Sequence, residues 1–402
     1  MWIFALIYLF LFIPYWALIA WYHRAWKAIP LFRPERAGAQ PSTRISVLVP
    51  ARNEEANIGA CIDSLLEQSY PKAQYEIIVI DDHSTDRTWE MISDLQHKAG
   101  HLMITQIPEP EAGAAPVRAH KKFAIETGVR MATGDLIVTT DADCRFHPDW
   151  LSTIAAFYEA TGARFIAAPV RIGYDPPMSP NDSSSTSSLQ DKRRPSLLSI
   201  FQTLDFITLQ GITGAAVYKN FHSMCNGANL AYTKEVFYEV GGFHGIDDIA
   251  SGDDMLLMHK IYKRYPGKVF FLKNPQAIVS TGVEESWRGF LNQRIRWASK
   301  ADRYDDRRIF WTLLLVYLVN ISFLCLLIAS FWEFDRLWSL LVLIVLKTLI
   351  EFPFVRSAAL FFGQQQLMVW FPLMQPLHIF YTIVVGWLGK FGSYSWKDRR
   401  HK

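Results

Sequence analysis

The chain has 402 residues, enough for more than one domain, and half of them are hydrophobic. Its 14 Trp and 27 Phe exclude disorder of the whole chain and favour a membrane-embedded part, since soluble proteins of this length rarely carry so many. The net charge of +3 is too balanced for a protein that binds nucleic acid through a basic face. The four cysteines include no Cys-x-x-Cys pair, which argues against a zinc site or a disulfide framework.

The chain begins with an apolar segment. Residues 1–22 carry no charge, and His23, Arg24 and Lys27 follow directly. About 20 apolar residues span a bilayer as a helix, so residues 1–22 are predicted to be a transmembrane helix. A cleaved signal peptide is the alternative, but the segment lacks a basic start and a small-residue cleavage site. The positive charges behind the segment predict that the next part of the chain is cytoplasmic.

Residues 40–300 are predicted to form a cytosolic α/β domain. Short β-branched runs alternate with helical patterns, an order typical of a doubly wound, mostly parallel sheet, in which ligands bind beyond the carboxyl ends of the strands. Asn53 is predicted to cap the helix after the first strand. Residues 178–196 are rich in Ser, Asp, Lys and Arg and are predicted to form a mobile loop. The predicted strands cover residues 45–49, 76–80, 102–107 and 135–140.

Acidic residues directly follow two of these strands. Asp81 and Asp82 come after the second strand, and Asp141 and Asp143 come after the fourth. Carboxylates gathered at one sheet edge repel one another, and a divalent cation bound together with a diphosphate would relieve that repulsion. The residues alone also allow a simpler interpretation, in which the acids only cap the helices that follow.

Two further motifs lie later in the domain. A helix beginning at Asp253 and Asp254 would hold both acids in its first turn, where the helix dipole favours carboxylates. Gln293, Arg296 and Trp297 have the spacing i, i+3, i+4, so one helix face would present an amide, a guanidinium and an indole. Such a face suits phosphate oxygens and a sugar, but it is also typical of a lipid-interface belt before a membrane helix.

Residues 309–390 are predicted to form a C-terminal membrane region of two or three helices. Lys347 and Glu351 interrupt the second apolar run, and at this spacing they can share a helix face as a structural pair turned toward neighbouring helices. Prolines and polar residues in the third run predict a kinked or partly spanning helix. Three crossings would put the basic tail, residues 391–402, outside, against the preference for positive charge inside. The number of crossings therefore stays open.

Six motifs together resemble glycosyltransferase family 2, the inverting enzymes with the GT-A fold. The resemblance covers about residues 44–300, and the flanking apolar runs suit the membrane-bound branch of that family. The family's usual Glu-Asp pair is Asp253-Asp254 here, so which of these two carboxylates faces the acceptor is open. In chain order, the motifs are residues 47–55, 81–86, 141–143, 225–230, 252–254 and 293–297.

The resemblance implies a role for each matching position. Asp254 would be the general base, and Asp141 and Asp143 would engage the ribose, the diphosphate and Mg²⁺ or Mn²⁺, with Asp143 as the direct metal ligand. The residues that would close over the diphosphate and the acceptor are Gln293, Arg296 and Trp297. The residues that would contact or border the nucleotide are Pro50, Ala51, Asn53, Glu55, Asp81, Asp82 and Lys122.

The implied enzyme is a metal-dependent transferase of hexosyl or N-acetylhexosaminyl groups in the cytoplasmic membrane, multi-pass, with its catalytic domain in the cytoplasm. The donor would be a nucleotide-diphosphate sugar, and the resemblance favours a UDP-sugar. A lipid acceptor is predicted, because so few C-terminal helices offer little material for a polar tunnel through hydrocarbon. A processive polysaccharide synthase and a catalytically inactive nucleotide-sugar sensor are the alternatives.

Overall fold

A computed structural model of the chain describes residues 2–34, 42–97, 99–108, 119–173, 195–221, 224–247, 252–299, 306–392, 394–396 and 399–401. The predicted loop over residues 178–196 lies outside the described residues, except for its last two positions. The chain divides into two compact units. The sheet unit comprises Pro30–Ser199 and Asn220–Val283, and the helical unit comprises Met1–Ile29, Ile200–Lys219 and Glu284–Lys402.

The sheet unit is built on a seven-stranded, mostly parallel sheet. The strands of this unit are β1 (Ile45–Ala51), β2 (Tyr75–Asp81), β3 (Leu102–Gln106), β4 (Leu136–Thr139), β5 (Phe165–Ala167), β6 (Val170–Ile172), β7 (Leu230–Thr233), β8 (Val269–Phe271) and β9 (Val279–Thr281). The sheet order is β3-β2-β1-β4-β7-β5-β8, with β7 antiparallel to both of its neighbours. The strands β6 and β9 form a separate parallel pair. The predicted α/β class with a GT-A-like, mostly parallel sheet is confirmed.

Helices flank the strands and make up the second unit. Their bounds are α1 (Trp2–Ala28), α2 (Ile58–Leu66), α3 (Thr88–Gln96), α4 (His120–Met131), α5 (Trp150–Thr161), α6 (Leu197–Tyr218), α7 (Lys234–Glu239), α8 (Asp253–Arg264), α9 (Trp287–Ala298), α10 (Arg307–Ala329), α11 (Asp335–Phe361) and α12 (Phe371–Phe391).

The register of the central strands brings their carboxyl ends to one edge. In the parallel pair of β1 and β2, Ala51 lies opposite Asp81, so both strands end at the same level. On the other side of β1, Thr139 at the end of β4 lies opposite Leu48. The middle residues of β1 and β2 are apolar and buried, as expected for strands covered on two faces. The segments that follow β1, β2 and β4 therefore emerge together.

One predicted helix boundary is wrong. The helix after β1 begins at Ile58, and Asn53 does not cap it. Asn53 instead adopts a left-handed backbone conformation with φ of 51°, which asparagine tolerates better than most residues. Its side-chain oxygen accepts a hydrogen bond from the N–H of Thr85 at 2.8 Å, so the residue shapes a loop.

Among the described residues of the helical unit, the helices α10, α11 and α12 are long and apolar enough to cross a membrane. The N-terminal helix α1 packs against two of them through aromatic rings. Phe12 meets Phe323 of α10 with ring centroids 5.8 Å apart, and Tyr22 stacks on Phe354 of α11 at 6.1 Å. The helix α12 runs over 21 residues with a proline inside it, in the segment predicted to be kinked.

The helices α6 and α9 also belong to the helical unit, whereas the sequence places them in one domain over residues 40–300. Their packing explains the difference. Phe201 of α6 meets Phe290 of α9 with ring centroids 5.7 Å apart and Tyr381 of α12 at 5.4 Å. Ile295 of α9 and Val385 of α12 share a buried apolar cluster.

Candidate active site

The two acids that follow β2 have different surroundings. Asp81 is fully buried, and its carboxylate accepts hydrogen bonds from the N–H and hydroxyl of Ser84, which fixes the turn. Asp82 lies beside two basic side chains, with His120 Nδ1 at 3.1 Å and the Arg52 guanidinium at 4.0 Å. Asp81 therefore shapes the edge of the sheet, and Asp82 is the acid of the two that lies beside basic side chains.

All of the residues predicted to border a nucleotide except Lys122 lie together where β1 and β2 end. Pro50 and Ala51 are the last two residues of β1, and the loop behind them is tied to the loop after β2. The ties are hydrogen bonds from the Asp82 N–H to the Ala51 carbonyl (2.8 Å), from the Thr85 N–H to Asn53 Oδ1 (2.8 Å) and from the Arg87 N–H to Glu55 Oε2 (3.0 Å).

Asp141 and Asp143 lie in a turn, because β4 already ends at Thr139. Asp141 Oδ1 accepts a hydrogen bond from a lysine ammonium at 2.6 Å, and Asp143 Oδ2 accepts one from the Thr281 hydroxyl at 2.8 Å. Burial, and then repulsion from Asp141, raise the pKa of Asp143 above its ordinary value.

The lysine on Asp141 is Lys121, which connects two of the acidic motifs. Its ammonium lies 2.6 Å from Asp141 and 3.4 Å from Asp253. Burial by itself would lower the pKa of Lys121, but the two carboxylates outweigh it and raise that pKa, so the side chain is a cation. The predicted residue, Lys122, is 2% exposed and donates to the Ile246 carbonyl at 2.5 Å.

The family resemblance points to Lys122, whereas the lysine that lies against the acids is Lys121. Neighbouring positions on a helix point about 100° apart, so only one of two adjacent lysines can face the acids. Both lysines precede the same apolar pattern, and no local signal says which one faces the sheet edge.

The acids at the start of α8 approach the same lysine. As predicted, Asp253 and Asp254 occupy the first turn, preceded by Gly252 with φ of 81°, a value that favours glycine. Asp254 Oδ2 accepts a hydrogen bond from the N–H of Gly227 at 3.1 Å. A Cβ on Gly227 would lie 3.1 Å from the Lys121 ammonium and 3.3 Å from Asp253 Oδ2. The motif at residues 225–230 thus brings a bare backbone to the point where the acids converge.

The acids at this edge include a pair that suits a divalent cation. Within the described part of the chain, no three side chains of His, Cys, Asp or Glu gather as a metal cage. Magnesium and manganese bound with a diphosphate need only one or two protein carboxylates. Asp141 and Asp143 fit that requirement, because they lie close enough for one carboxylate to raise the pKa of the other, and a cation relieves such repulsion.

The remaining predicted residues lie on α9 in the helical unit. Gln293, Arg296 and Trp297 are all partly exposed. The Gln293 amide donates to Glu284 Oε1 at 3.2 Å. The buried guanidinium of Arg294, a residue that sequence reasoning passed over, lies 4.1 Å from the centroid of the Trp297 ring.

Two protein-family models match the chain. Residues 136–385 match the model described as glycosyl transferase family group 2, which is more than half of the chain. Residues 46–219 match the model described as glycosyl transferase family 2.

Individual proteins are similar over shorter stretches. The probable glycosyltransferase YdaM of Bacillus subtilis is 27% identical over 260 residues, which cover 63% of this chain and 54% of that protein. The beta-monoglucosyldiacylglycerol synthase of a Nostoc species is 29% identical over 128 residues, 32% of this chain and 26% of that protein. The mannosyltransferase PcManGT from Pyrobaculum calidifontis, solved with GDP-Man and Mn²⁺, is 20% identical with a TM-score of 0.49, covering 90% of this chain and 94% of that one. The chain spans about half or less of the length of these two curated relatives.

Proposed function

Since the chain belongs to glycosyl transferase family group 2, we propose that it is a membrane-anchored inverting enzyme that moves a sugar from a nucleotide-diphosphate sugar to a membrane lipid. The observation that carries the proposal is the convergence of two acidic motifs, at Asp141 and at Asp253-Asp254, at the carboxyl edge of the sheet. Lys121 joins Asp141 to Asp253, and Gly227 joins that group to Asp254. This edge is where sheets of this class bind ligands.

Asp254 is the proposed general base. Asp254 is partly exposed, whereas Asp253 is buried and paired with Lys121. A base that receives the proton of an acceptor hydroxyl must be open to that hydroxyl. The deprotonated oxygen attacks the anomeric carbon opposite the leaving diphosphate, so a single displacement inverts that carbon.

Cationic groups stabilise the charge that develops on the leaving diphosphate. Asp143 and Asp141 would hold Mg²⁺ or Mn²⁺, and the bound ion would supply neutralising charge. Lys121 adds a fixed ammonium beside the same two motifs. Arg296, with its planar fork of donors, is proposed to grip phosphate oxygens. Asp82, Pro50 and the residues around them are proposed to border the nucleotide, for which UDP is favoured.

A lipid is the proposed acceptor. Three long apolar helices suit an enzyme whose acceptor is in the bilayer, and one relative is named for a glycolipid synthesis. The proposed location is the cytoplasmic membrane, with several crossings and with the sheet unit in the cytoplasm. A processive polysaccharide synthase is the second candidate, because the Gln-x-x-Arg-Trp motif also occurs in such enzymes.

Purified full-length protein tests the enzyme proposal. With Mn²⁺ and a panel of nucleotide sugars, we expect donor hydrolysis or transfer by the native chain. Asp254→Asn keeps the shape of the residue but removes the base, so kcat should fall about 10²- to 10⁴-fold while the donor affinity stays nearly unchanged. Asp253→Asn is the matched control, and a larger loss there would make Asp253 the base. Tight binding of the donor without turnover by the native chain would favour a sensor.

A product assay tests the acceptor. Membranes that contain the native chain are incubated with radiolabelled donor, beside membranes that contain Asp254→Asn. Label extracted into organic solvent, and absent from the variant, supports transfer of one or a few sugars to a lipid. Label in a water-soluble product of high molecular weight refutes the lipid acceptor and supports the synthase.

A further inference from the structure

Arg294 is among the largest fully buried side chains of the described structure, although it lies inside a polar motif. The residue is 2% exposed, and its Nε donates to Asp205 Oδ2 of α6 at 2.9 Å. The carboxylate of Asp205 is buried as well. Separating a buried ion pair is costly, because each partner would then be an uncompensated charge inside the protein. The two side chains are therefore held at a fixed distance. Helix α6 therefore holds α9 at this residue.

The guanidinium of Arg294 fixes the neighbouring amide. Its Nη1 donates to Gln293 Oε1, and Gln293 Nε2 donates to Glu284 Oε1 at 3.2 Å. Glu284 is itself fixed, because its backbone N–H and carbonyl both pair with the Gln202 side chain at 3.1 Å. Both polar atoms of the Gln293 side chain are thus hydrogen-bonded, and the orientation of its amide oxygen and nitrogen is fixed.

The same guanidinium fixes the indole on the other side of the motif. Trp297 is one turn further along α9, and its ring centroid lies 4.1 Å from the Arg294 carbon Cζ. Phe290 flanks the guanidinium at 4.7 Å. A planar cation favours such flat stacking on an aromatic face, which limits how far the indole can turn.

We propose that Arg294 is a positioning residue, which holds Gln293 and Trp297 in the orientations that the transfer reaction uses. This inference rests on the proposed function. Arg294 is neutralised by Asp205 and buried, so it acts through its two neighbours and does not bind the diphosphate itself. Arg296 remains partly exposed and keeps the phosphate-binding role.

The test compares charge-balanced variants in the full-length enzyme. Arg294→Met combined with Asp205→Asn removes both buried charges together, which avoids leaving one unpaired. We expect this pair to melt close to the native temperature but to lower kcat about 10- to 100-fold, because small misplacements of reacting groups are costly. Arg294→Lys keeps the charge without the planar stack and should be intermediate. Arg288→Met, at an exposed position of the same helix, is the control and should leave kcat unchanged.

A double-mutant cycle separates positioning from general destabilisation. Gln293→Ala should lower kcat in the native background but add less than about a threefold loss to the charge-balanced pair, because residues that act through one another are not additive. Full additivity, or a native kcat in the charge-balanced pair, overturns the inference.

Hydrogen exchange gives an answer that does not depend on turnover. Backbone amides of residues 293–298 should exchange faster in the charge-balanced pair than in the native chain, and Arg288→Met should leave them unchanged. Unchanged exchange in the pair overturns the inference. If the native chain turns over no nucleotide sugar, the proposed function fails, and exchange alone then decides whether Arg294 orders the motif.

Discussion

At the residue scale, one helical step separates two lysines with different roles. Lys121 lies between carboxylates, whereas Lys122 is buried against the Ile246 carbonyl. A cation fixed between two acidic motifs lowers their mutual repulsion and can stabilise a leaving diphosphate.

Lys121→Met should therefore lower kcat by about 10²-fold, the loss typical of one preorganised stabilising group. Lys122→Met should affect kcat far less and should lower the free energy of unfolding by about 1.5–3 kcal/mol, because the hydrogen bond from its charged ammonium to the Ile246 carbonyl is lost. Steady-state kinetics and thermal melts of the two variants check this. A larger kinetic effect at Lys122 would restore the role that the sequence suggested for it.

The second prediction at this scale concerns Asp143 and the stability of the protein from which metal has been removed by EDTA. Its raised pKa means that the folded state holds the proton more tightly than the unfolded chain does. The stabilising contribution is therefore complete at low pH and is lost as the pH rises through the folded pKa. Above the folded pKa the partly buried charge is unfavourable, so Asp143→Asn should raise the melting temperature of the metal-free protein in that range of pH.

The same variant should lose the stabilisation that Mn²⁺ gives to the native chain, since ligand binding stabilises the folded state. Melting curves with EDTA and with excess Mn²⁺, recorded between pH 5 and pH 8, measure both effects. An equal Mn²⁺ shift in the native chain and in Asp143→Asn would contradict the metal assignment.

At the scale of elements, a buried polar group links three helices of the helical unit. Lys347 Nζ lies 2.7 Å from Glu351 Oε1 on α11 and 2.8 Å from Gln375 Oε1 on α12. The hydroxyl of Tyr15 on α1 also donates to Glu351. The predicted structural pair turned toward neighbouring helices is therefore present. The hydrogen bonds of this pair fix the positions of the helices along one another, which a purely apolar interface would not do.

Lys347→Met should lower the free energy of unfolding by about 3–5 kcal/mol, because it leaves Glu351 charged and buried. Lys347→Met combined with Glu351→Leu removes both charges and should be clearly less destabilised. Thermal unfolding in one detergent compares the two variants. A loss of turnover in either variant without a change in melting would indicate a functional site instead.

At the scale of the whole molecule, the packing of α9 and α12 within the helical unit bears on membrane topology. The two helices run side by side in the same direction, with Phe290 beside Tyr381 and Ala298 beside Gly389. The C-terminal end of α12 therefore lies next to the C-terminal end of α9. The first strand of a short terminal hairpin, β10 (Tyr394–Trp396) paired with β11 (Arg399–His401), also contacts α9. We therefore predict that the basic tail lies on the same side of the membrane as α9, which is also what the positive-inside rule prefers.

Single cysteines in a cysteine-free background test this topology. A cysteine at Ser299, after α9, and one added after Lys402 should react alike with a membrane-impermeant maleimide in intact cells and in inverted vesicles. A cysteine at Trp332, between α10 and α11, is the control and should show the opposite pattern. If the tail reacts like Trp332, then α12 completes a crossing.

The sequence by itself determined what depends on local periodicity. Short β-branched runs predicted the first four strands within a residue or two, and the acids at the ends of the second and fourth strands followed from chain order. Asp253 and Asp254 begin a helix as predicted, because the apolar run behind them already has helical spacing. Lys347 and Glu351 pair because four residues make about one helical turn.

Only the tertiary structure decided contacts between residues far apart in the chain. Arg294 and Asp205 are separated by 89 positions, and no sequence pattern near either residue predicts that they pair. Asn53 takes a left-handed conformation because a loop after a different strand holds its side chain. The choice of Lys121 over Lys122 likewise depends on Asp253, which only the folding of the sheet brings within 3.4 Å. Short-range spacing sets the direction in which a side chain can point. Which residues that side chain contacts depends on the buried and charged groups of distant segments.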